Sequence, residues 1–427
     1  MILKRLKIGK FRNLRAVDLR FGSGITILLG KNGTGKTTLL NLIKAILVSD
    51  YSIFLESSSE VEFELQGADG VTLEARVVTS RRPVDESAKS AAPSIDQLGV
   101  LGSSTPYELA VGYRFIAGDG NTDIVFESKG PDVVIRQGTN ERYRQPAQEH
   151  FLMLGVAAAL CAQHAPDLGL GAFFREVVAL IMTVDRYDEA LGVFERLVNE
   201  RGAGVTLEVT ENDGPNVRQI FVPGALHSVV HAHAESEKKE QSFLIPAGEL
   251  PFLERAKELM GFHDAICDVK FLGAQTTDSQ QRRYRYGDFN FLFHAHNGDI
   301  ISHEELSYGQ KRLLSFLYLI DLDGPIVIAD ELVNGLHHQW IEATVASLEN
   351  RQAFLTSQNP LLLDHLEFTS AEDVEQAFVV CETSQEDEEA VSFSWRNMSE
   401  GEAASFYSTY ETGIQHVGEI LRTKGLW

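Results

Sequence analysis

Cysteine, proline and positive charge are all scarce in this chain of 427 residues. Three cysteines, Cys161, Cys267 and Cys381, stand far apart and form no C-x-x-C pair. That argues against a disulfide framework and for a reducing compartment. Lys and Arg number 38 against 61 Asp and Glu, a formal net charge of −23. Affinity for a phosphate backbone comes mainly from Lys and Arg, so a broad surface coating nucleic acid is disfavoured, while a local basic groove stays open. The bland reading, solubility of an acidic protein, carries most of the weight. Long apolar runs are missing too: the longest, from Phe151 to Ala162, is too short to span a bilayer. The opening Met1-Ile2-Leu3-Lys4-Arg5-Leu6 has no apolar signal core, and Arg12 and Arg15 follow soon after. These absences predict a cytoplasmic protein with no membrane partner. There is no internal repeat and no useful heptad array.

What is present is a globular composition, 44% apolar and 23% charged, long enough for two or three lobes. Its most informative stretch is Gly30-Lys31-Asn32-Gly33-Thr34-Gly35-Lys36-Thr37, which fits the phosphate-binding pattern G-x-x-x-x-G-K-[ST]. Ile25-Thr26-Ile27-Leu28-Leu29 before it reads as a buried strand, and Thr38 to Leu47 after it as a helix with little polar face. Strand, glycine loop and helix together aim backbone N–H groups and a helix N-terminus at an anion. Glycine lets the loop curl around phosphates without Cβ clashes. Asn32, Gly33, Thr34, Gly35, Lys36, Thr37 and Thr38 are therefore the candidate nucleotide ligands. Lys36 would reach the outer phosphates and the Thr37 hydroxyl would bind Mg²⁺.

Residues 1–22 alternate like a strand pair with Phe11-Arg12-Asn13 in the bend. Val61 to Leu65 and Val71 to Val77, split by Gly67-Ala68-Asp69-Gly70, predict a hairpin. Residues 80–106, rich in Ser, Ala, Pro and Gly, read as a loop marking an insertion boundary. Residues 107–145 mix short strands and turns, and 146–200 have a helical pattern, including the periodic stretch from Phe173 to Asn199. Strand-like alternation returns over 204–245, a short helix follows from Leu250 to Met260, and 265–302 look like strands. From Ser302 an α/β alternation resumes.

Far from the phosphate loop, the apolar run Pro325-Ile326-Val327-Ile328-Ala329 ends in Asp330-Glu331. In nucleotide hydrolysis a first carboxylate holds Mg²⁺ through its water shell, and a second orients or deprotonates the attacking water. Adjacent side chains on a strand end diverge, which suits two jobs. Upstream lies Leu306-Ser307-Tyr308-Gly309-Gln310, followed by a helical run from Leu313 to Leu319.

Here the chain resembles the ABC-type ATPases, whose signature L-S-G-G-Q opens a helix upstream of the Asp-Glu strand. Tyr308 replaces the first glycine of that signature. The resemblance implies that Ser307, Tyr308, Gly309 and Gln310 of one subunit complete the ATP site of another. Phe11-Arg12-Asn13 is similar to the opening of the SMC/RecF-like branch, which implies that Arg12, with Asn13, reaches the nucleotide. Leu332-Val333-Asn334-Gly335-Leu336-His337 resembles the E-P-x-N-G-L-H-P run of bacterial stand-alone heads, among them OLD-type and other phage-defence systems. Leu332 and His338 stand where that run has prolines. Asn334 and His337 are then expected at the dimer contact. Where the family has T-T-H-S-P, this chain has Thr356-Ser357-Gln358-Asn359-Pro360. Gln358 replaces the histidine that contacts the γ-phosphate. Glutamine donates a hydrogen bond but carries neither proton nor charge, so slow turnover is expected. The implied roles are Glu331 and Gln358 in catalysis, and Thr37 and Asp330 on the metal. The family's glutamine loop has three candidates, Gln66, Gln137 and Gln145, and none stands out.

Other constellations carry less. His231-Ala232-His233 and His294-Ala295-His296 would place two rings on one face of a strand, yet no third ligand sits at a diagnostic spacing, nor does His337-His338 supply one. Arg282-Arg283-Tyr284-Arg285-Tyr286, and more loosely Arg136 with Arg142-Tyr143-Arg144, interleave charge with aromatics, as a single-strand binder would, but strand alternation explains them as well. Asp321-Leu322-Asp323 reads as a turn. The tail from Phe406 to Trp427 has helical apolar spacing and is expected to pack on its own lobe.

The expectation is an α/β P-loop NTPase with an ABC-type head, a mixed sheet plus an antiparallel β subdomain, and a large α+β insertion. Residues 1–80 and 301–370 would form the head lobes, 81–300 the insertion and 371–427 the tail. ATP and Mg²⁺ are the expected cofactors, and a homodimer or higher oligomer with ATP sandwiched between heads the expected assembly. The leading role is a sensor or switch gating a separate effector in bacterial antiphage defence. The alternatives are a repair ATPase acting directly on DNA and a scaffold that barely hydrolyses. A transporter subunit is disfavoured, since the opening lacks an adenine-stacking aromatic strand motif and the insertion is too large.

Overall fold

The computed structural model describes residues 1–81, 107–120, 122–129, 132–146, 153–184, 186–187, 207–210, 222–276, 281–387 and 390–427. They divide into two compact units. Unit 1 comprises Met1–Ile181, Ser370–Tyr407 and Leu426–Trp427; unit 2 comprises Met182–Thr369 and Ser408–Gly425.

Unit 1 opens with β1 (Ile2–Phe11) and β2 (Leu14–Arg20), paired so that Leu6 faces Leu19 and Ile8 faces Val17. Arg12 sits in their turn with φ 50°, a left-handed conformation unusual for a residue with a Cβ. Then come β3 (Ile25–Leu29), α1 (Lys36–Val48), the hairpin β4 (Ser59–Gln66) and β5 (Thr72–Arg81), and β6 (Tyr107–Ile116). β7 (Asp123–Lys129), β8 (Asp132–Gln137) and β9 (Asn140–Pro146) complete an eight-stranded antiparallel sheet in the order β2-β1-β4-β5-β6-β7-β8-β9. Its two faces follow the period of two. Val61, Phe63 and Leu65 point inward, while Glu60, Glu62 and Glu64 line the outer face. Lys7–Glu62 and Arg76–Glu60 pairs, at 3.0 and 2.6 Å, bridge neighbouring strands on that outer face. Next come α2 (Leu154–His164) and α3 (Gly171–Thr183). Phe173 of α3 meets Phe115 of the sheet edge-on, with ring centroids 5.9 Å apart.

Unit 2 holds β10 (Arg186–Tyr187), β11 (Leu207–Thr210), α4 (Gly224–Ala234), β12 (Phe243–Pro246), α5 (Pro251–Met260), β13 (Asp264–Thr276), β14 (Arg282–His294) and β15 (Ile300–Ser302). α6 (Tyr308–Ile320), β16 (Ile326–Ala329), α7 (His338–Ala346) and β17 (Gln352–Leu355) follow. β10, β16 and β17 run parallel, and β16 and β17 are buried throughout, as a strand covered on both faces must be. β11-β14-β13-β12 form an antiparallel sheet with β15 beside β14. α6 is buried continuously from Arg312 to Ile320. An apolar helix of this kind belongs in a core.

The chain then returns to unit 1 through α8 (Ala371–Ala377), β18 (Phe378–Asp387), β19 (Ala390–Asn397) and most of α9 (Glu400–Tyr410). β18 lies parallel to β3, with Phe378 opposite Ile27 and Val380 opposite Leu29. α10 (Val417–Thr423) belongs to unit 2. Among the described residues no helix is long and apolar enough to cross a membrane.

Three local expectations are corrected. Residues 224–234 form α4, not a strand, because Leu226, Val230 and Ala234 recur at helical spacing and are all buried. His231 and His233 therefore point to different sides of a helix. His233 stacks on Phe243 at 3.7 Å, and His231 is buried with Glu235 3.5 Å away. Among the described residues no group of three or more His, Cys, Asp or Glu side chains could hold a metal ion. The helical stretch begun at Phe173 ends at Thr183, and Arg186–Tyr187 pair with Ile328 and Ala329 instead. Its continuation from 188 to Asn199 and the Ser/Ala/Pro/Gly-rich stretch from 82 to 106 lie outside the described residues.

Candidate nucleotide-binding site

The phosphate loop lies in unit 1, between β3 and α1. Gly30 has φ 139°, and a Cβ there would lie 2.2 Å from the carbonyl oxygen of Cys381, so no side chain fits. Gly33 and Gly35 are also left-handed, with φ 83° and 86°. Thr34 closes the loop by donating from its hydroxyl to the Lys31 carbonyl at 2.8 Å. Gly35 caps α1 without a side-chain hydrogen bond, and the first turn holds no acidic residue. The helix thus presents its N-terminal N–H groups with no side-chain cap and no carboxylate of its own first turn. Leu39, Leu40, Leu42, Ile43 and Ile46 bury the opposite side and anchor it.

Lys36 Nζ donates to the carbonyls of Gly30 and Lys31 at 2.7 and 3.0 Å. No carboxylate forms an ion pair with it among the described residues. An unneutralised ammonium, left-handed glycines and an open helix N-terminus fit the outer phosphates of a nucleotide. Thr37 is exposed at the same turn, next to Lys36. Thr38 lines, with Arg12, Phe11, Asn41 and Lys44, a cleft of about 280 Å³ along α1. Arg12 pairs there with Glu56 at 2.8 Å and lies 5.3 Å from the Phe11 ring. The structure thus brings Arg12 and Thr38 to one cleft. Asn13 shares the Arg12 turn, and Asn32 and Gly33 lie exposed at the loop tip.

Sequence reasoning missed the wall behind this loop. Trp395 of β19, 2% exposed, donates its indole N–H to the Thr34 carbonyl at 3.2 Å. Its ring would stand 3.1 Å from a Cβ at Gly35. Burial also pushes the Cys381 thiol up to about 12, so this cysteine stays a neutral packing group.

The signature and the carboxylate pair lie in unit 2. Ser307 caps α6 in a capping box: its hydroxyl accepts from Gln310 N at 3.4 Å, and Gln310 Oε1 accepts from Ser307 N at 3.0 Å. Gly309 must be glycine, since a Cβ would sit 2.5 Å from the Gly335 carbonyl. Tyr308 is 49% exposed, and its ring would lie 3.0 Å from a Cβ at Gly335. The signature turn and the Asn334-Gly335 turn are therefore in direct contact. Asn334 is exposed, and His337 is the exposed N-cap of α7.

β16 ends at Ala329, and the two carboxylates follow it. Thr356, another residue the sequence did not single out, latches both: its hydroxyl donates to Asp330 Oδ1 at 2.5 Å and accepts from Glu331 N at 2.9 Å. Glu331 has φ 52°. Gln358 donates from its backbone N–H to Glu331 Oε2 at 3.1 Å and from Nε2 to Oε1 at 3.2 Å. Asp330, Glu331 and Gln358 thus form one cluster whose carboxylates face different donors.

The remaining candidates resolve as scaffold. Asp321 accepts from Phe252 N at the start of α5 at 2.7 Å, and burial raises its carboxyl. On β14, Tyr284 and Tyr286 are fully buried, while Arg282 pairs with Glu240 and Arg283 with Glu208, at 2.8 and 3.0 Å. Those rings are not free to stack on bases.

Residues 5–123 match an AAA domain family, and residues 220–364 match a family described as "AAA domain, putative AbiEii toxin, Type IV TA system". Over 43 residues the chain is 56% identical to the DNA replication and repair protein RecF of Pasteurella multocida, covering 10% of this chain and 12% of that protein. Over 110 residues it is 34% identical to RecF of Roseiflexus castenholzii, covering 22% and 28%. The chain thus spans about an eighth to a quarter of the length of these curated relatives. The SMC head domain from Thermotoga maritima aligns over 93% of this chain and 100% of its own, at 11% identity and a TM-score of 0.36.

Proposed function

We propose that this chain, which carries an ABC-type P-loop NTPase head of the SMC/RecF-like kind, is an ATP-held switch that hydrolyses slowly and gates a separate effector. Lys36 holds the outer phosphates, and Thr37 and Asp330 are the Mg²⁺ residues. Mg²⁺ would supply charge neutralisation at the phosphates. Glu331 orients the attacking water and takes its proton. Ser307 and Gly309 serve the nucleotide of a second copy, so the active form is a homodimer or larger.

The observation that carries this reading is the double hydrogen bond from Gln358 to Glu331. Gln358 is an uncharged amide where the resembled family has a histidine. The base is held, yet its partner neither relays a proton nor offers a positive charge. Such a site suits long ATP occupancy over fast cycling.

A role in antiphage defence is supported by the AbiEii-type description matched by residues 220–364. A gene neighbour encoding a nuclease or toxin would add support. An isolated gene whose deletion leaves phage infection unchanged would count against it. The alternative, a repair ATPase acting directly on DNA, draws on the RecF relatives' name and predicts salt-sensitive DNA binding that stimulates turnover. The ion-paired arginines of β14 give it little support.

The deciding experiment measures ATP hydrolysis beside light-scattering mass, for wild type and Glu331→Gln. Turnover that the variant abolishes, with an ATP-trapped dimer, supports the switch. No turnover in either, at one mass with and without ATP, removes the enzyme reading.

A further inference from the structure

Arg312 is the largest fully buried side chain among the described residues, with 0% exposure. It sits one turn into the signature helix, on the face turned to the core. Its Nη2 donates to the carbonyls of Glu331 at 2.6 Å and Leu332 at 3.1 Å. Its Nη1 donates to the Tyr308 hydroxyl at 3.3 Å. The guanidinium lies 5.2 Å from the Tyr187 ring centroid and 5.7 Å from that of Tyr308. Among the described residues no carboxylate pairs with it, and its Nε has no hydrogen-bond partner. Two carbonyls, the Tyr308 hydroxyl and two ring faces hold this buried cation.

A purely structural arginine is the ordinary explanation of such a group, and two observations go beyond it. The carbonyls it grips belong to Glu331 and Leu332, and Glu331 has the left-handed φ of 52°. A residue with a Cβ keeps that conformation only where its surroundings impose it. The Glu331 carbonyl receives Arg312 from one side and Asn334 N from the other, at 3.1 Å. Fixing that peptide plane fixes the direction in which the Glu331 side chain leaves the backbone, and Gln358 holds its far end. The other end of the contact, Tyr308, is half-exposed at the signature turn. Tyr187 joins the same cluster: its hydroxyl donates to the Arg312 carbonyl at 2.7 Å, and its own carbonyl accepts from Asp330 N at 2.9 Å.

We infer that Arg312 is a positioning residue that ties the exposed Tyr308 of the signature turn to the backbone of Glu331, so that whatever seats on Tyr308 sets the aim of the carboxylate. This rests on Glu331 orienting the water. Under the function proposed above, that occupant is a second copy of this chain carrying its nucleotide. A glycine at 308 could supply neither the hydroxyl nor the ring, which gives the substitution in the signature a physical role. Lysine at 312 would keep the charge but lose the fork that reaches two carbonyls and a hydroxyl together.

The test uses the full chain as Arg312→Lys, Arg312→Met and Tyr308→Phe, beside wild type and Glu331→Gln. ATP affinity, kcat, KM, melting temperature and hydrogen exchange of residues 331–336 are measured. Arg312→Lys is expected to lower kcat about tenfold or more with ATP affinity within about twofold, and to speed exchange in 331–336. Tyr308→Phe, which removes only the hydroxyl, is expected to lower kcat about two- to fivefold with an unchanged melting temperature. Wild-type kcat and exchange in Arg312→Lys would overturn the inference, and so would a loss of kcat matched by an equal loss of ATP affinity. Should wild type itself show no turnover, the function proposed above falls. Exchange in 331–336 then decides the positioning claim: faster exchange at a retained melting temperature upholds it, and unchanged exchange overturns it. If Arg312→Met fails to fold, Arg312→Lys and Tyr308→Phe carry the decision.

Discussion

Gln358 grips both carboxylate oxygens of Glu331, one through its backbone N–H at 3.1 Å and one through its side-chain amide at 3.2 Å. The backbone half of this clamp survives Gln358→Ala, and the side-chain half does not. That separation makes the residue's contribution measurable.

Gln358→His should raise kcat about tenfold, because an imidazole adds the proton acceptor and donor that the amide lacks. Gln358→Ala should lower kcat modestly, since the backbone donor stays. Steady-state ATPase rates check both, and an unchanged or lower rate in Gln358→His would refute the account of slow turnover.

Trp395→Phe deletes the indole donor to Thr34 and keeps most of the ring. Loss of one such bond is worth about 1 kcal/mol, or about fivefold in ATP affinity if the phosphate loop loosens. Calorimetric titration with ATP gives the answer. Wild-type affinity would mean that the wall is dispensable.

Gly309→Ala drives a Cβ to 2.5 Å from the Gly335 carbonyl. Overpacking of this kind costs about 1–3 kcal/mol, visible as a lower urea midpoint at unchanged slope. Gly248→Ala is the control, because a Cβ there meets nothing within 4 Å. Its effect should stay within about 0.5 kcal/mol.

Burial holds His303 below the ordinary imidazole value of 6.5, and its Nδ1 accepts from Phe291 N at 3.2 Å. The folded state therefore binds this proton less readily than the unfolded chain. Stability from this group is fully present above 6.5 and is lost as pH falls below it through the lowered folded value. Urea midpoints should drop between pH 7 and 5, and His303→Gln should flatten the slope. A second loss at lower pH is expected from Glu402, which Arg396 at 2.7 Å holds down at about 2.

The phosphate loop was legible because everything it needs is local. Glycines that take left-handed angles, a lysine and a threonine at fixed spacing, and an apolar strand and helix on either side are all encoded between Ile25 and Leu47. The hairpin around Arg12 and the capped signature helix were readable for the same reason, since turn and cap chemistry acts over a few positions. The strand-like alternation expected over 204–245 failed over 224–234, where burial decided: Leu226, Val230 and Ala234 made a helix face. His231 and His233 lost their common face with it.

What the sequence by itself supplied is therefore a set of candidate groups for a nucleotide site, from Lys36 and Thr37 to Asp330, Glu331 and Gln358. The tertiary structure alone decided how those groups are held. Trp395 reaches Thr34 across 361 positions of chain, Gln358 reaches Glu331 across 27, and Arg312 reaches the Glu331 carbonyl across 19. No local pattern marks such pairs, because their geometry exists only once strands and helices distant in sequence have packed.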